Sequence, residues 1–282
     1  MNRKQLNYWG FGHVPTGNEQ RDRARRRFGY PNLFKRLQTP EIMQALALDD
    51  ETVALDLGCG PGYFSVELAR HCRRVVAVDT LAVIDAIPSA AKSAPALEFV
   101  SVTDTTLPFV DATFDTVLAS EVLPMAEDPG VFLQEIRRVL RPGGRLVVSN
   151  GAGHPVVAAA YARDSRFLRL LRRLRPRNFP ADYQDYCQRL QAAFGTRRSS
   201  FLGEGQVREL LEAHGFTIDA MEFTPGYLAG AFVSWEQFIG FVITGDALRR
   251  RRFVWRFFLL TLLGRLSRRG YPGGLLVTAN LS

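Results

Sequence analysis

One short run of residues constrains the fold of this chain more than any other feature. A strand predicted over 53–57 ends directly in the loop Gly58-Cys59-Gly60-Pro61-Gly62, and a helix is predicted to follow through about Arg70. Glycines at the carboxyl end of a first strand let a ligand approach the backbone closely, and the helix that follows offers free N–H groups. The run therefore predicts a strand–loop–helix unit that binds a nucleoside-bearing cofactor.

Strands and helices continue to alternate after this loop. Further strands are predicted over 75–79, 97–102, 114–120, 145–149, 216–223 and 275–281. Apolar residues in 132–140 have helical spacing, and the Arg-Pro-Gly-Gly run at 141–144 predicts a turn that ends this helix. The alternation predicts an α/β fold built on a doubly wound parallel sheet.

Two acidic residues and one absent glycine narrow the choice of cofactor. Asp79 ends the second strand, where a carboxylate can accept hydrogen bonds from two ribose hydroxyls. The dinucleotide fingerprint G-x-G-x-x-G requires a third glycine where this chain has Tyr63. Asp56 lies inside the first strand, where a carboxylate repels a pyrophosphate but suits a cofactor that carries an ammonium and a sulfonium.

Four segments in order support the same interpretation: 55–62, 76–79, 104–115 and 135–144. They resemble the motifs of the class I S-adenosylmethionine-dependent methyltransferases, especially the small-molecule group that includes ubiquinone- and menaquinone-type enzymes. The resemblance implies a Rossmann-like, seven-stranded sheet whose last strand is antiparallel, with helical lid insertions. It also implies S-adenosyl-L-methionine as the cofactor.

The resemblance assigns roles to particular residues. It places Gly58, Cys59 and Gly60 along the methionine part of the cofactor, Asp79 at the ribose, and Asp104 and Thr105 at the adenine. The backbone near Ser120 and Glu121 is expected to face the methionine end. The full predicted set of cofactor-binding residues is Asp56, Gly58, Cys59, Gly60, Gly62, Asp79, Thr80, Asp104, Thr105, Ser120 and Glu121.

The sequence shows no catalytic signature. Methyl transfer from a sulfonium does not require one. The sulfonium makes the methyl group electrophilic, and the protein must mainly hold the acceptor in line, about 3 Å away, and exclude water. Three candidates for a general base are His154, Glu121 and His13. No metal site is predicted, and the three cysteines form no paired motif.

Net charge is distributed unevenly along the sequence. The chain carries +8, yet 53–150 holds 8 basic and 12 acidic residues, while 151–202 holds 10 and 3, and 227–282 holds 8 and 2. An arginine-rich helix over 163–177 is interpreted as a solvated face. The run over 249–269 has arginines at both ends of a short aromatic stretch, which is typical of an interfacial helix or of a buried helix with a charged rim. Nucleic acid is the less favoured partner for these regions.

We therefore predict an S-adenosylmethionine-dependent methyltransferase that acts on a small or amphiphilic molecule by in-line displacement. An RNA methyltransferase and a non-catalytic cofactor-binding protein are the alternatives. The predicted organisation is an N-terminal helical segment (1–52), a cofactor-binding core (53–150), an arginine-rich lid insertion (151–202), and the rest of the sheet (203–282) with a helical insertion at about 227–270. Low cysteine content and the lack of a span of ~18 apolar residues predict a cytoplasmic protein, with peripheral membrane contact as an open alternative.

Overall fold

The architecture is taken from a computed structural model. It describes residues 33–60, 62–85, 87, 95–103, 106–126, 128–150, 155–194, 202–224, 227–245 and 274–281.

A single seven-stranded sheet organises the first part of the fold. The strands are β1 (Val53–Leu57), β2 (Arg74–Thr80), β3 (Leu97–Val102), β4 (Phe114–Ser120), β5 (Leu140–Asn150), β6 (Phe216–Thr224) and β7 (Gly274–Leu281). Their order across the sheet is β3-β2-β1-β4-β5-β7-β6. β1 to β5 pair in parallel, and β7 pairs antiparallel with β5. The predicted fold, including the antiparallel last strand, is confirmed.

The central strands are apolar because both of their faces are covered. Every residue of β1 is buried, and the β-branched run of β2 is buried from Val75 to Val78. Strands buried on both faces lose the apolar–polar alternation of half-exposed sheets. This explains why 53–57 and 75–79 read as continuous apolar runs with one acidic residue each.

The start of β5 differs from the prediction. The run at 141–144 was expected to be a turn, but β5 begins at Leu140 and includes it. The pairing with β4 shifts register between Phe114 and Thr116, and Gly143 has a φ of 73°. The Pro-Gly-Gly run is therefore an irregularity of the β-bulge type within a continuing strand, because glycine adopts this backbone conformation without a steric penalty.

Nine helices are described in the structure. They are α1 (Leu33–Leu46), α2 (Tyr63–Leu68), α3 (Leu81–Asp85), α4 (Pro129–Val139), α5 (Pro155–Ala162), α6 (Arg166–Leu174), α7 (Tyr183–Phe194), α8 (Glu204–Ala213) and α9 (Tyr227–Thr244), with a short 3-10 helix at Leu123–Met125. Asp128 caps α4, since its side chain accepts hydrogen bonds from the backbone of Gly130 and Val131. Among these helices, none combines the length and the apolar character that a membrane crossing requires.

Contacts divide the chain into two compact units. The first comprises residues 1–150, 202–222 and 275–282, and the second comprises 151–201 and 223–274. The four-part division predicted from the sequence stays a prediction.

The second unit has its own aromatic core. Phe238 and Tyr186 are fully buried, and their rings meet edge to face at 5.0 Å between centroids. Phe179 and Tyr161 pack against the same phenylalanine at 6.0 and 5.9 Å. Edge-to-face pairs add to the stabilisation that burial provides. This cluster joins residues from both sequence segments of the second unit into one core.

Candidate functional site

The predicted cofactor-binding residues that the structure describes gather at one edge of the sheet. β1, β2 and β4 are parallel neighbours, so their carboxyl ends meet there. The glycine loop leaves β1, Asp79 and Thr80 end β2, and Ser120 ends β4. Ligands of open α/β sheets bind outside the carboxyl ends of the strands, where the strand order reverses. In this sheet the reversal falls between β1 and β4.

Close packing constrains two of the loop glycines, Gly58 more strictly than Gly62. A Cβ placed on Gly58 would lie 2.3 Å from Cγ2 of Val122, and one placed on Gly62 would lie 3.1 Å from the ring of Phe99. Their φ angles of 68° and 87° also favour glycine. The loop after β1 is thereby packed tightly against the segment that follows β4.

Gly60 differs from these two glycines because it is open on its side-chain face. Among the described residues, and apart from its chain neighbours, no atom lies within 4 Å of a Cβ placed there, although φ is 52°. Its N–H donates a hydrogen bond to Oδ2 of Asp79 at 2.7 Å, and the Thr80 N–H donates to Oδ1 at 2.7 Å. Asp79 is only half-buried. The site thus presents an anchored, accessible carboxylate beside an open stretch of backbone.

Asp56 and Cys59 lie in the interior of the site. Asp56 is 1% exposed, and its Oδ2 accepts a hydrogen bond from Oγ of Ser65 at 2.5 Å. Burial raises the pKa of the Cys59 thiol far above its usual value, and the carboxylates of Asp56 and Asp79 raise it further. The thiol is therefore protonated near neutral pH, which agrees with a packing role and not with a nucleophilic one.

The segment that ends β4 adds two polar groups and a strained residue. The hydroxyls of Ser120 and Ser149 share a hydrogen bond of 2.7 Å between the paired ends of β4 and β5. Glu121 has a φ of 64°, which is uncommon for a residue other than glycine. Its N–H donates to the carbonyl oxygen of Ser149 at 2.7 Å, which holds the backbone in this conformation. Such strain is often found at functional sites.

Four of the predicted residues lie outside the described part of the chain. They are the adenine-site candidates Asp104 and Thr105 and the histidines His13 and His154. Their proposed roles stay predictions. The membrane hypothesis for 249–269 also falls on residues outside the described ranges.

The sequence interpretation did not single out several residues that shape this site. Ser65 supports Asp56, Val122 fills the space above Gly58, and Ser149 pairs with Ser120. The Tyr63 hydroxyl also forms a hydrogen bond of 2.7 Å with Oγ1 of Thr39, which joins α2 to α1. Of these residues, Ser149 carried a sequence signal because it ends a predicted strand as Ser120 does, and Tyr63 was noted only as the residue in the place of a third fingerprint glycine.

A shallow surface hollow of about 380 Å³ lies elsewhere on the first unit. Ala112, Leu140 and Pro142 line it, at the opposite ends of β4 and β5 from the glycine loop. Its Arg138 forms ion pairs with Asp111 and Glu135. We do not assign it to the candidate site, because these charges are already paired.

Fold and site together define a class of protein. A seven-stranded sheet with an antiparallel β7, a glycine loop after β1 and an acidic end to β2 are the features of the class I methyltransferase fold. A family model described as "Methyltransferase domain" matches residues 55–148. Residues 55–148 therefore form a class I S-adenosylmethionine-dependent methyltransferase domain, as the resemblance implied, and the cofactor that this family implies is S-adenosyl-L-methionine.

Individual relatives cover this domain or share its fold. The chain is 37% identical over 103 residues to a demethylmenaquinone methyltransferase of Clavibacter sepedonicus. The aligned region covers 36% of this chain and 42% of that protein. An S-adenosylmethionine-dependent methyltransferase structure from Mesorhizobium loti matches with a TM-score of 0.56 and 19% identity, over 88% of this chain and 100% of that one. The [4+2]-cyclase SpnF matches with a TM-score of 0.53 and 19% identity, over 88% and 80%.

The curated relatives match over only part of their length, and the solved structures match in fold. The chain spans less than half the length of the curated relatives it matches. At these identities, the two structural matches show a shared fold. A fold does not fix a reaction, and the presence of a cyclase among the matches illustrates this point.

Proposed function

We propose that the protein is an S-adenosylmethionine-dependent methyltransferase whose acceptor is a small or amphiphilic molecule, methylated by in-line displacement. The observation that carries the proposal is the contact between the Gly60 N–H and the Asp79 carboxylate beside open space. A loop held in this way offers backbone to one part of a nucleoside cofactor and a carboxylate to its hydroxyls.

The described residues fit such a cofactor in shape and in charge. Apart from its chain neighbours, no described residue fills the space over the side-chain face of Gly60, so we propose that a ligand reaches the backbone there. We propose that Asp79 accepts hydrogen bonds from the ribose hydroxyls, as acidic residues at this position do in related folds. We also propose that Asp56 provides buried negative charge beneath the loop, which favours a cationic ligand over a pyrophosphate.

The end of β4 is proposed to position the amino-acid part of the ligand. Glu121 extends the site next to Val122, which is packed on Gly58. The Ser120–Ser149 hydrogen bond and the bond from the Glu121 N–H hold this segment on two strands. Such preorganisation lowers the entropy that binding must overcome.

Bound S-adenosylmethionine would supply an electrophilic methyl group on a sulfonium. The chain's own contribution would then be to orient the acceptor and to exclude water. Glu121, His154 and His13 stay predicted candidates for a proton acceptor. None of them is needed if the acceptor reaches the site already deprotonated.

Calorimetry with S-adenosylmethionine and with NAD tests the cofactor assignment. We expect the wild type to bind S-adenosylmethionine and the D79A variant to bind it at least about tenfold more weakly, because a hydrogen-bonding charge is lost. D50A is the matched control, since Asp50 is an exposed residue in the turn before β1. Tighter binding of NAD than of S-adenosylmethionine would contradict the proposal.

A second experiment separates binding from catalysis. Radiolabelled methyl donor is incubated with the protein and with separate extracts of small molecules, lipids and RNA. Label in the small-molecule or lipid fraction supports the proposal. Label in RNA supports the RNA alternative instead. Binding without transfer to any fraction supports the alternative of a non-catalytic cofactor-binding protein.

A further inference from the structure

The apolar face of α6 is wider than the core that covers it. Successive residues of an α-helix turn by about 100°, so the apolar residues of Arg166–Leu174 form one broad face. Leu168, which is 4% exposed, and Leu171 point to the aromatic core of the second unit. The other edge of the same face carries Phe167, Leu170 and Leu174, which are 44%, 53% and 63% exposed.

These three side chains form a contiguous stripe. Positions 167, 170 and 174 are separated by three and four residues, which places them next to each other along the helix surface. The ring of Phe167 contacts Trp235 at 5.5 Å between centroids, which fixes the stripe to α9. A contiguous row of exposed apolar side chains marks an interaction surface more often than single exposed apolar residues do.

Arginines border this stripe with little acid to balance them. Arg166 and Arg173 lie beside Leu170 on the helix surface, and no carboxylate of the described residues lies within ion-pair distance of either. Arg169 contacts Asp164 at 3.6 Å, and Arg172 is engaged with the Phe179 ring and the Ala181 carbonyl. The basic residues between 163 and 177 are Arg163, Arg166, Arg169, Arg172, Arg173, Arg175 and Arg177, and the one acidic residue in that range is Asp164.

We propose that the α6 stripe (Phe167, Leu170 and Leu174) with its bordering arginines is a docking surface for a membrane that contains anionic lipid. Apolar side chains next to cationic ones match the chemistry of a bilayer surface, where acyl chains lie directly below phosphate groups. Arginine stems cover apolar surface while their guanidinium groups reach the phosphates. The sequence alone suggested a solvated arginine face here. The arginines of α6 are exposed in the structure, and Leu170 and Leu174 are exposed beside them.

Two other occupants fit the surface less well. The arginines could bind the phosphates of RNA, but the exposed leucines would gain no apolar contact, because a surface that binds a phosphate backbone is polar. A second copy of the chain packed on the same face would bring two groups of uncompensated arginines together. The proposal does not depend on methyl transfer, and it concerns described residues, unlike the hypothesis for 249–269.

Vesicle co-sedimentation tests the docking surface. The full-length protein is mixed with vesicles of phosphatidylcholine alone or with phosphatidylglycerol added, over a series of NaCl concentrations. We expect binding to the anionic vesicles only, and weaker binding as salt rises. We expect the R166Q and R173Q changes each to weaken binding about fivefold at low salt, since each basic residue near such a surface contributes about that factor.

Changes of the apolar stripe provide the sharper test. The L170D/L174D double variant is expected to lose vesicle binding while keeping the melting temperature and cofactor affinity of the wild type, because both side chains are exposed. The L170S/L174S variant removes the apolar contact without adding charge and is expected to weaken binding as well. V110D/V131D is the matched control, since Val110 and Val131 are exposed apolar residues of the first unit, at 79% and 40%.

Three outcomes would overturn the proposal. One is equal binding to neutral and anionic vesicles, or none to either. Another is wild-type vesicle binding by L170D/L174D. The third is a surface that serves another partner: vesicle binding is absent, and the protein instead binds a short RNA tightly or forms a dimer in sedimentation experiments. In that case L170D/L174D or R166Q/R173Q would disrupt the RNA complex or the dimer.

Discussion

Gly60 and Gly143 share one backbone requirement but have different surroundings. Both have positive φ angles, 52° and 73°, and in the described part of the chain neither has an atom beyond its chain neighbours within 4 Å of an added Cβ. Gly60 lies in the proposed cofactor site, whereas Gly143 lies at the irregular start of β5. The pair therefore separates the cost of a left-handed backbone from the loss of a ligand contact.

We expect G60A and G143A to lower the free energy of unfolding by similar amounts, about 1 kcal/mol, because alanine is strained at positive φ. Only G60A is expected to weaken S-adenosylmethionine binding, by at least about tenfold, since its methyl group fills the open space. Urea unfolding and calorimetry measure the two effects. Equal cofactor affinity in both variants would show that the ligand does not approach Gly60.

Gly58 is constrained by its neighbour in addition to its φ angle. We expect G58A to destabilise the protein by more than about 2 kcal/mol, because the new methyl group would overlap Val122 at 2.3 Å. The double variant G58A/V122A is expected to recover part of this loss. A double-mutant cycle in urea measures the coupling, and additive effects of the two changes would rule out the proposed overlap.

At the scale of elements, α4 depends on the N-cap residue that precedes it. Asp128 accepts hydrogen bonds from the N–H groups of Gly130 and Val131 at 2.8 and 3.3 Å. We expect D128A to lower the free energy of unfolding by about 1 kcal/mol, as the loss of an N-cap does. Cofactor affinity is expected to stay unchanged, because α4 follows the 3-10 helix and not the glycine loop. D128N, which can still cap, is the control and is expected to retain most of the stability.

The sequence predicted elements better than it predicted their irregularities. All seven strands were expected near their observed positions, and the signal was clearest for the buried parallel strands β1 and β2, which are continuous apolar runs. The beginning of β5 was not predicted correctly, since proline and glycine occur both in turns and in bulges and do not distinguish them. A left-handed backbone at Glu121 leaves no signal in one sequence either, because it is imposed by the bond to Ser149 on a neighbouring strand.

The site was predictable to a similar degree. Asp79 and the three glycines follow from their positions after β1 and at the end of β2. Ser65 and Val122 do not, because their roles arise from contacts that form only once the loop is folded. A serine and a valine are common at many positions and carry no pattern of their own.

At the scale of the whole molecule, stability is expected to fall in acid. The side-chain hydrogen bond from Arg138 holds the pKa of Glu135 below its usual 4.5, and the Arg189 hydrogen bond lowers that of Asp185 below 3.8. A lowered folded-state pKa gives stability that is present above the unfolded value and is lost as pH falls through the folded value. The wild type should therefore lose stability as pH drops from about 5 toward 3.

The E135Q variant tests this prediction in the first unit. We expect it to be less stable than the wild type at pH 7, since the charged hydrogen bond is lost. We also expect it to lose less stability between pH 7 and pH 3, because one acidic group with a lowered pKa is gone. Urea unfolding at several pH values measures the slope, and a slope equal to that of the wild type would contradict the assignment.

The position of β7 in the sheet governs the order in which the chain can fold. β7 pairs with β5 and lies between β5 and β6, although it follows β6 in the sequence and is separated from β5 by the whole of 151–273. During synthesis on a ribosome, β6 therefore emerges before the strand that joins it to the sheet. The second unit can form its own core in that interval. We expect the finished sheet to close late and slowly, because its last pairing joins such distant segments.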